Sequence, residues 1–306
     1  MKTTNGRVIG IDVGGTNFRI GAVNAEGEVT QFRKLPVAEV FSTEDALTDL
    51  LSFLSAYKAE LAENIDAVSI GFPATLNRER TKVLQAPNLP FMENLPVVLT
   101  LSQKLGVPVF IERDVTMVLC YDMVKYGIPQ DGITCGFYFG TGIGNAISVN
   151  GQPLIGKNGT AGELGHIPAD GIDKCCGCGN VGCMENLAGG KYLARLQASV
   201  YPDTPIGELF ARHGKDAHLL QFVDHMAQAV ATEINILDPD HVLVGGGVVN
   251  MQDFPTDTLS ARIYAHTRKP YPAESLEILY TADEREKGVV GAAYYAKGKI
   301  GRANRG

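Results

Sequence analysis

The stretch "GELGHIPADGIDKCCGCGNVGCME", residues 162–185, holds four of the six cysteines, with one histidine and two glutamates. His166, Cys176, Cys178 and Cys183 form a Cys₃His set on loops short enough to close around one ion, with Cys175 as a substitute for Cys176. Tetrahedral zinc accepts thiolates together with one imidazole. Four protein ligands leave no position for water, so such an ion folds a glycine-rich loop and is not a Lewis acid. Glu163 and Glu185 bracket the loop. If one nitrogen of His166 is metallated, the other becomes a fixed donor. The three side chains would make a rigid polar crescent suited to the hydroxyl groups of a small neutral molecule.

A second kind of chemistry lies in three strand-to-glycine transitions: "DVGGT" (12–16), "GTGIG" (140–144) and "GGG" (245–247). Glycine turns let successive N–H groups converge on an anion, and a threonine hydroxyl adds a donor. Asp12 at the end of a strand can hold Mg²⁺ through water. One such turn alone reads as a plain hairpin, whereas three together, with an acidic residue in the first, point to a nucleotide. No G-x-x-x-x-G-K-[ST] occurs, which excludes a Walker-type ATPase. The G-x-G-x-x-G at 177–182 lies inside the cysteine cluster and follows no strand, so it does not read as a dinucleotide fingerprint.

Elements of two periods must position these residues. "RVIGID", "FRIGAV" and "EVTQFRKL" read as a three-stranded antiparallel meander. A helix follows, with Ser42 and Asp45 at capping-box spacing and Leu47, Leu50, Leu51, Leu54, Tyr57 and Leu61 along one face. Strands at 66–72 and 109–112 alternate with a helix near 96–105 and lead to Glu112-Arg113-Asp114. Residues 133–149 repeat the plan of residues 8–23, which implies duplication of one unit. A long helix through Leu219, Val223, Met226, Val230, Ile234 and Leu237 stops before Asp238-Pro239, and a small-residue helix spans about 285–297. The alternation predicts an α/β fold. Its expected division is 1–117 completed by helix 285–300, and 118–284 carrying the metal loop and nucleotide turns.

A chain of 306 residues at 45% hydrophobic content can bury the cores of two domains. With 27 basic against 34 acidic residues and no basic run, it lacks a nucleic-acid footprint. No apolar stretch is long enough for a signal peptide or membrane span, so a cytoplasmic location is expected, where clustered cysteines favour metal over disulfides. Cys120 and Cys135 are expected to be buried, inert thiols, and His213, His218, His225, His241 and His266 show no ligand pattern.

"DVGGT", "GTGIG", "GELGH", "CGCGNVGCME" and "DPDHVLVGGG" occur in one order, and together they resemble the ROK family of repressors, open reading frames and kinases. The resemblance covers about residues 7–297. It implies two ribonuclease-H-like, actin-like ATPase lobes with a cleft between them, a homodimer, and a kinase that phosphorylates a sugar with ATP and Mg²⁺. It also implies a structural Zn²⁺ on His166, Cys176, Cys178 and Cys183. Asn88, Glu163, His166 and Glu185 would contact sugar hydroxyls, and Asp114 matches the catalytic base. Gly14, Gly15, Thr16, Thr141 and Gly142 would cradle phosphates, with Gly245, Gly246 and Gly247 near the adenosine. The first strand begins near residue 7, so no DNA-binding domain of the repressor branch is expected ahead of it.

One departure bears on specificity. Most sugar kinases of the family carry Asn immediately before the base, where this chain has Arg113. "RDV", "FPA", "APNLP" and "GELGHIP" look most like the branch that acts on D-allose. The expected reaction is transfer of the γ-phosphoryl group of ATP to O6 of an aldohexose, D-allose first. Glucose, fructose and N-acetylmannosamine kinases are the alternatives, with a non-catalytic sugar-sensing regulator as the rival class.

Overall fold

A computed structural model describes residues 6–303, so residues 1–5 of the expected first lobe lie outside the described residues. The chain folds as two compact units. Unit 1 comprises residues 1–128, 155–161 and 284–306, and unit 2 comprises 129–154 and 162–283.

Unit 1 is built on strands β1 (Arg7–Val13), β2 (Asn17–Val23), β3 (Val29–Pro36), β4 (Ile65–Phe72) and β7 (Val109–Arg113), in the order β3-β2-β1-β4-β7. A two-stranded hairpin, β5 (Thr75–Leu76) and β6 (Val83–Gln85), stands beside this sheet. Unit 2 is built on β8 (Ile133–Phe139), β9 (Ile143–Val149), β10 (Gln152–Pro153), β11 (His241–Gly245) and β12 (Ile278–Tyr280), in the order β10-β9-β8-β11-β12. In each sheet the first three strands form an antiparallel meander and the last two add in parallel. The two orders are the same plan twice, as the repeated strand–turn–strand pattern implied.

Helices α1 (Val37–Val40), α2 (Ala46–Leu61) and α3 (Val97–Leu105) cover one face of the first sheet, where Leu50, Leu54, Tyr57 and Leu101 are buried with Ile9, Ile11 and Ile70. The cap of α2 differs from the sequence expectation. Asp45, not Ser42, is the N-cap, accepting the Thr48 N–H at 3.1 Å. The backbone N–H groups of Ser42 and Thr43 instead donate to Asp49 at 2.8 and 2.7 Å. An acidic residue fills the cap because its oxygens accept two donors from Thr48, the amide and the hydroxyl.

α4 (Asp114–Lys125) follows β7 without a loop, and α10 (Lys287–Ala303) packs against it through Met117, Ala292 and Tyr295. The expected division at residue 117 falls inside α4. Packing on α10 keeps the whole helix in unit 1, together with segment 155–161. Lys287 Nζ meets Asp122 Oδ2 at 2.7 Å with both side chains buried. Lys287→Met strands a buried carboxylate and is expected to cost about 3 kcal/mol, read as a lower urea midpoint at unchanged slope.

In unit 2, α5 (Glu185–Ala188), α6 (Gly190–Val200), α7 (Leu209–His213), α8 (Ala217–Leu237) and α9 (Thr256–His266) flank the sheet. Leu219, Val223, Met226, Val230 and Ile234 on α8 are fully buried, as their spacing predicts, whereas Leu237 at the end of the helix is only partly buried. Among the described residues no helix is long and apolar enough to cross a membrane.

Candidate functional site

The residues predicted to do chemistry fall into a carboxylate group in unit 1 and a metal loop with glycine turns in unit 2. In unit 1, Asp114 is the first residue of α4 and stands at the carboxyl end of a parallel strand, where open α/β sheets place ligands. The Val115 N–H donates to its Oδ1 at 2.7 Å. Burial, and next the charge of Asp12, push its carboxyl up to about 7, against the pull of that N–H and of Arg113. A carboxyl poised near neutrality is matched to proton abstraction at physiological pH.

Asp12 is the penultimate residue of β1, beside the "GGT" turn, which is closed by the Gly14 N–H donating to the Asn17 carbonyl at 2.8 Å. Its Oδ2 accepts from Arg19 Nη1 at 2.7 Å. Arg19 was not foreseen, although the turn length held the signal: the hairpin register places Asp12 directly opposite Arg19 on β2. Asn88 packs against Gly15, so a predicted sugar contact and the first glycine turn are neighbours. Arg113 precedes α4 in extended conformation, largely buried, and its N–H donates to Glu112 Oε1 at 2.9 Å. One carboxylate together with substrate phosphates is an ordinary Mg²⁺ environment, so Asp12 fits that ion bound through water.

In unit 2, His166, Cys176, Cys178 and Cys183 bring one ligand atom each within 4.8 Å of one another. Cys176 Sγ lies 3.6 Å from His166 Nδ1, and Cys178 Sγ 3.6 Å from Cys183 Sγ. A tetrahedral zinc with thiolates has edges of roughly 3.8 Å, so the set fits the ion. Cys175 is exposed and lies outside the group, which holds Cys176. Burial, and next a hydrogen bond with Cys178, push the Cys183 thiol up to about 12, while the Asn180 N–H holds Cys178 below its ordinary value. The loop is laced by short backbone hydrogen bonds, including Cys176 N–H to Asn180 O at 2.7 Å and Ala169 N–H to Gly182 O at 2.8 Å.

With Nδ1 turned to Cys176, His166 Nε2 faces Glu163 Oε2 at 3.7 Å. That separation is too long for a direct hydrogen bond and lets both groups address one hydroxyl. Glu185 has a second attachment that the sequence did not announce. Its Oε2 accepts the Ile143 N–H at 3.0 Å, and a Cβ on Gly142 would fall 1.9 Å from the same oxygen. Glycine at 142 is what admits the carboxylate, and the bond removes the Ile143 N–H from the donors left for an anion. The "GTGIG" turn is also tied to α6, because the Gly190 and Lys191 N–H groups donate to the Gly140 and Thr141 carbonyls at 2.9 Å each. Thr141 and Gly142 are thus held rigidly beside Glu185.

At the third turn, Gly245 faces Thr281 and Gly246 lies against the backbone of Phe139, whereas Gly247 borders open space. Cys135 is buried, as expected, but Cys120 is only half-buried. Burial still pushes the Cys120 thiol up to about 12, so it stays unreactive at neutral pH. His213 and His266 bond Thr204 and Asp224 at 3.0 and 2.9 Å, which gives them structural roles. A cavity of about 630 Å³ behind the metal loop, bordered by Ile167, Met184, His225 and Thr232, is lined by none of the predicted site residues.

The sequence profile described as "ROK family" matches residues 8–299. The chain is 28% identical over 318 residues to a glucokinase of Thermotoga maritima, covering 96% of this chain and 98% of that protein. It is 29% identical over 273 residues to an N-acetyl-D-glucosamine kinase of Escherichia coli O157:H7, covering 84% and 89%. Among solved structures it resembles a ROK family glucokinase from Streptomyces griseus in complex with glucose and AMPPNP, with a TM-score of 0.78 and 25% identity over 96% of this chain and 100% of that one. With the profile spanning nearly its whole length, the chain belongs to the ROK family.

Proposed function

We propose that this protein is an ATP-dependent kinase that phosphorylates O6 of an aldohexose. The observation that carries the reading is the place of Asp114: the first residue of α4, at the carboxyl end of the parallel strand β7, where burial and the charge of Asp12 push its carboxyl up. The sugar O6 attacks the γ-phosphorus, the O6–P bond forms, the bond to the β,γ-bridging oxygen breaks, and ADP leaves. Asp114 accepts the O6 proton and aligns that oxygen, which is much of what such a base contributes. Asn88, Arg113, Glu163, His166 and Glu185 bind the sugar. Gly14, Gly15, Thr16, Thr141 and Gly142 bind the phosphates, and Gly245 to Gly247 border the adenosine. When bound, Mg²⁺ neutralises phosphate charge near Asp12, and Zn²⁺ holds the loop that carries His166. The same protein is expected to form a homodimer, checked by light scattering.

Among aldohexoses we assign D-allose first. Arg113 replaces the asparagine that most sugar kinases of the family carry, altering length, charge and donor pattern beside the base. Allose and glucose differ in the orientation of one ring hydroxyl, and a site that bonds each hydroxyl rejects the epimer that leaves a polar group unmatched. A second reading, glucose or N-acetyl-D-glucosamine, is favoured by the activities named for the relatives. A panel of aldohexoses, ketohexoses and N-acetylated hexoses assayed for ADP release decides between them. D-allose is expected to give the highest kcat/KM, and a tenfold preference for glucose or N-acetyl-D-glucosamine would replace it. No ADP release with any sugar, alongside sugar binding by calorimetry, would make the protein a sensor.

A further inference from the structure

Arg80 occupies a place where an arginine is unexpected. It closes the turn Asn77–Arg80 in the β5–β6 hairpin, with its N–H donating to the Asn77 carbonyl at 2.9 Å and a left-handed φ of 53°. A residue with a Cβ takes that conformation at a cost, and it persists only where the surroundings hold it. The surroundings here are contacts made by a buried guanidinium. Nε meets Glu112 Oε2 at 2.9 Å, with the side chains 8% and 0% exposed. Nη1 donates to the carbonyl of Gly159 at 3.0 Å and to that of Asn77 at 3.2 Å.

Each partner leads into a segment that the proposed reaction uses. Glu112 accepts the Arg113 N–H through Oε1 at 2.9 Å and the Tyr295 hydroxyl through Oε2 at 3.3 Å, so its carboxylate fixes the backbone that enters Asp114. Gly159 belongs to the 155–161 segment of unit 1, which continues directly into Gly162-Glu163. A Cβ on Gly159 would stand 2.3 Å from the Leu76 carbonyl and 2.7 Å from Arg80 Nη1, so only glycine lets the strand of chain approach this closely. The hairpin itself runs on from Gln85 to Asn88.

We infer that Arg80 is a positioning residue: one buried guanidinium sets the placement of the base at Asp114, of Asn88, and of the segment entering Glu163. A buried ion pair seldom outperforms apolar packing as a source of stability. What this one supplies is direction, because a planar fork bonds a carboxylate and a carbonyl at once, and an ammonium does not reproduce that fork. This inference rests on the kinase reading for its activity readout and on the geometry alone for its second readout.

The test compares wild type, Arg80→Met and Arg80→Lys. Hexose kinase kinetics should show kcat of Arg80→Met down by about 100-fold, the effect of a small misplacement of reacting groups, with KM for ATP unchanged within about twofold. Arg80→Lys should recover about tenfold of that loss, since it restores charge at Glu112 but not the bond to Gly159. Amide hydrogen exchange supplies the activity-independent readout. In Arg80→Met, peptides covering 113–116 and 159–163 should exchange about tenfold faster, and in Arg80→Lys only 159–163 should. In both variants β11 should keep wild-type exchange. If Arg80→Met does not fold, Arg80→Lys carries both comparisons. If wild type phosphorylates no hexose, the kinase reading fails and exchange alone decides this inference. Wild-type exchange at both segments overturns it, as does uniformly faster exchange across unit 1 with wild-type kcat, which would leave Arg80 a merely structural ion pair.

Discussion

Replacing Asp114 with Asn is expected to lower kcat by about 10³-fold while leaving hexose affinity within about threefold, and at the same time to stabilise the fold at alkaline pH. The first effect follows from losing the acceptor of the O6 proton at a position whose shape and burial are kept. The second follows from the cost of holding a charge there. The carboxyl stands at about 7 in the folded protein against an ordinary value of 3.8, because burial and then Asp12 disfavour its ionised form. Wild type therefore loses stability as pH rises from about 4 to about 7, and the penalty is fully present above that. The neutral amide of the Asp114→Asn variant escapes the penalty. After discounting for partial exposure, the gain is on the order of 1–2 kcal/mol at pH 8, a few degrees in Tm, and it disappears near pH 4. The wild-type kcat/KM should fall tenfold per pH unit on the acid side, with a midpoint near 7. Steady-state kinetics and thermal melts at pH 4, 6 and 8 check both halves. Wild-type turnover in the variant would remove Asp114 from the mechanism, and a lower Tm at pH 8 would show that its charge is supported, not penalised.

Removing the metal should act on sugar binding far more than on the fold. Zinc is expected at about one ion per chain in protein purified without chelator. Cys178→Ser, or chelation, releases the ligand set around His166 and frees His166 and Glu163 to move, while Glu185 stays tied to the Ile143 N–H. The hexose KM should rise by about 10- to 100-fold, the usual penalty for disturbing the shell of a metal site. Far-UV circular dichroism should change little, because the loop gives the buried core of unit 2 only Leu164 and Met184, and most of that core comes from β8, β11, α8 and the neighbouring helices. Metal analysis, kinetics and spectra on the same preparations separate the outcomes. Unchanged KM in zinc-free protein would contradict the role given to the loop, and loss of the whole fold would make the ion a core element.

Much of this was legible in residue order. Alternating strands with glycine turns gave the doubled sheet plan, and the buried face of α8 was read correctly from its period. The four side chains that could hold a metal were visible as a local constellation, because a loop closing on one ion leaves its donors close in sequence. What stayed hidden depends on contacts distant along the chain. Glu185 reaches Ile143 over 42 positions, and Arg80 reaches Gly159 over 79. Nothing in "NRER" distinguishes a buried guanidinium from a solvated one until the hairpin folds over Glu112. The misplaced cap of α2 and the misplaced boundary at residue 117 have a different origin. Each followed a local pattern where a neighbouring interaction was stronger: Thr48 with Asp45 in one case, and α10 packed on α4 in the other.

Incubating the protein, purified without chelator, with Mg-ATP and D-allose and identifying the product by phosphorus–proton correlation NMR reads the phosphoryl transfer itself. Equimolar ADP and a hexose phosphate whose phosphorus couples to the C6 protons are expected, formed about 10³-fold more slowly by Asp114→Asn. A phosphate on another oxygen, or no sugar phosphate from D-allose, glucose or any other hexose supplied to folded protein, would contradict that expectation.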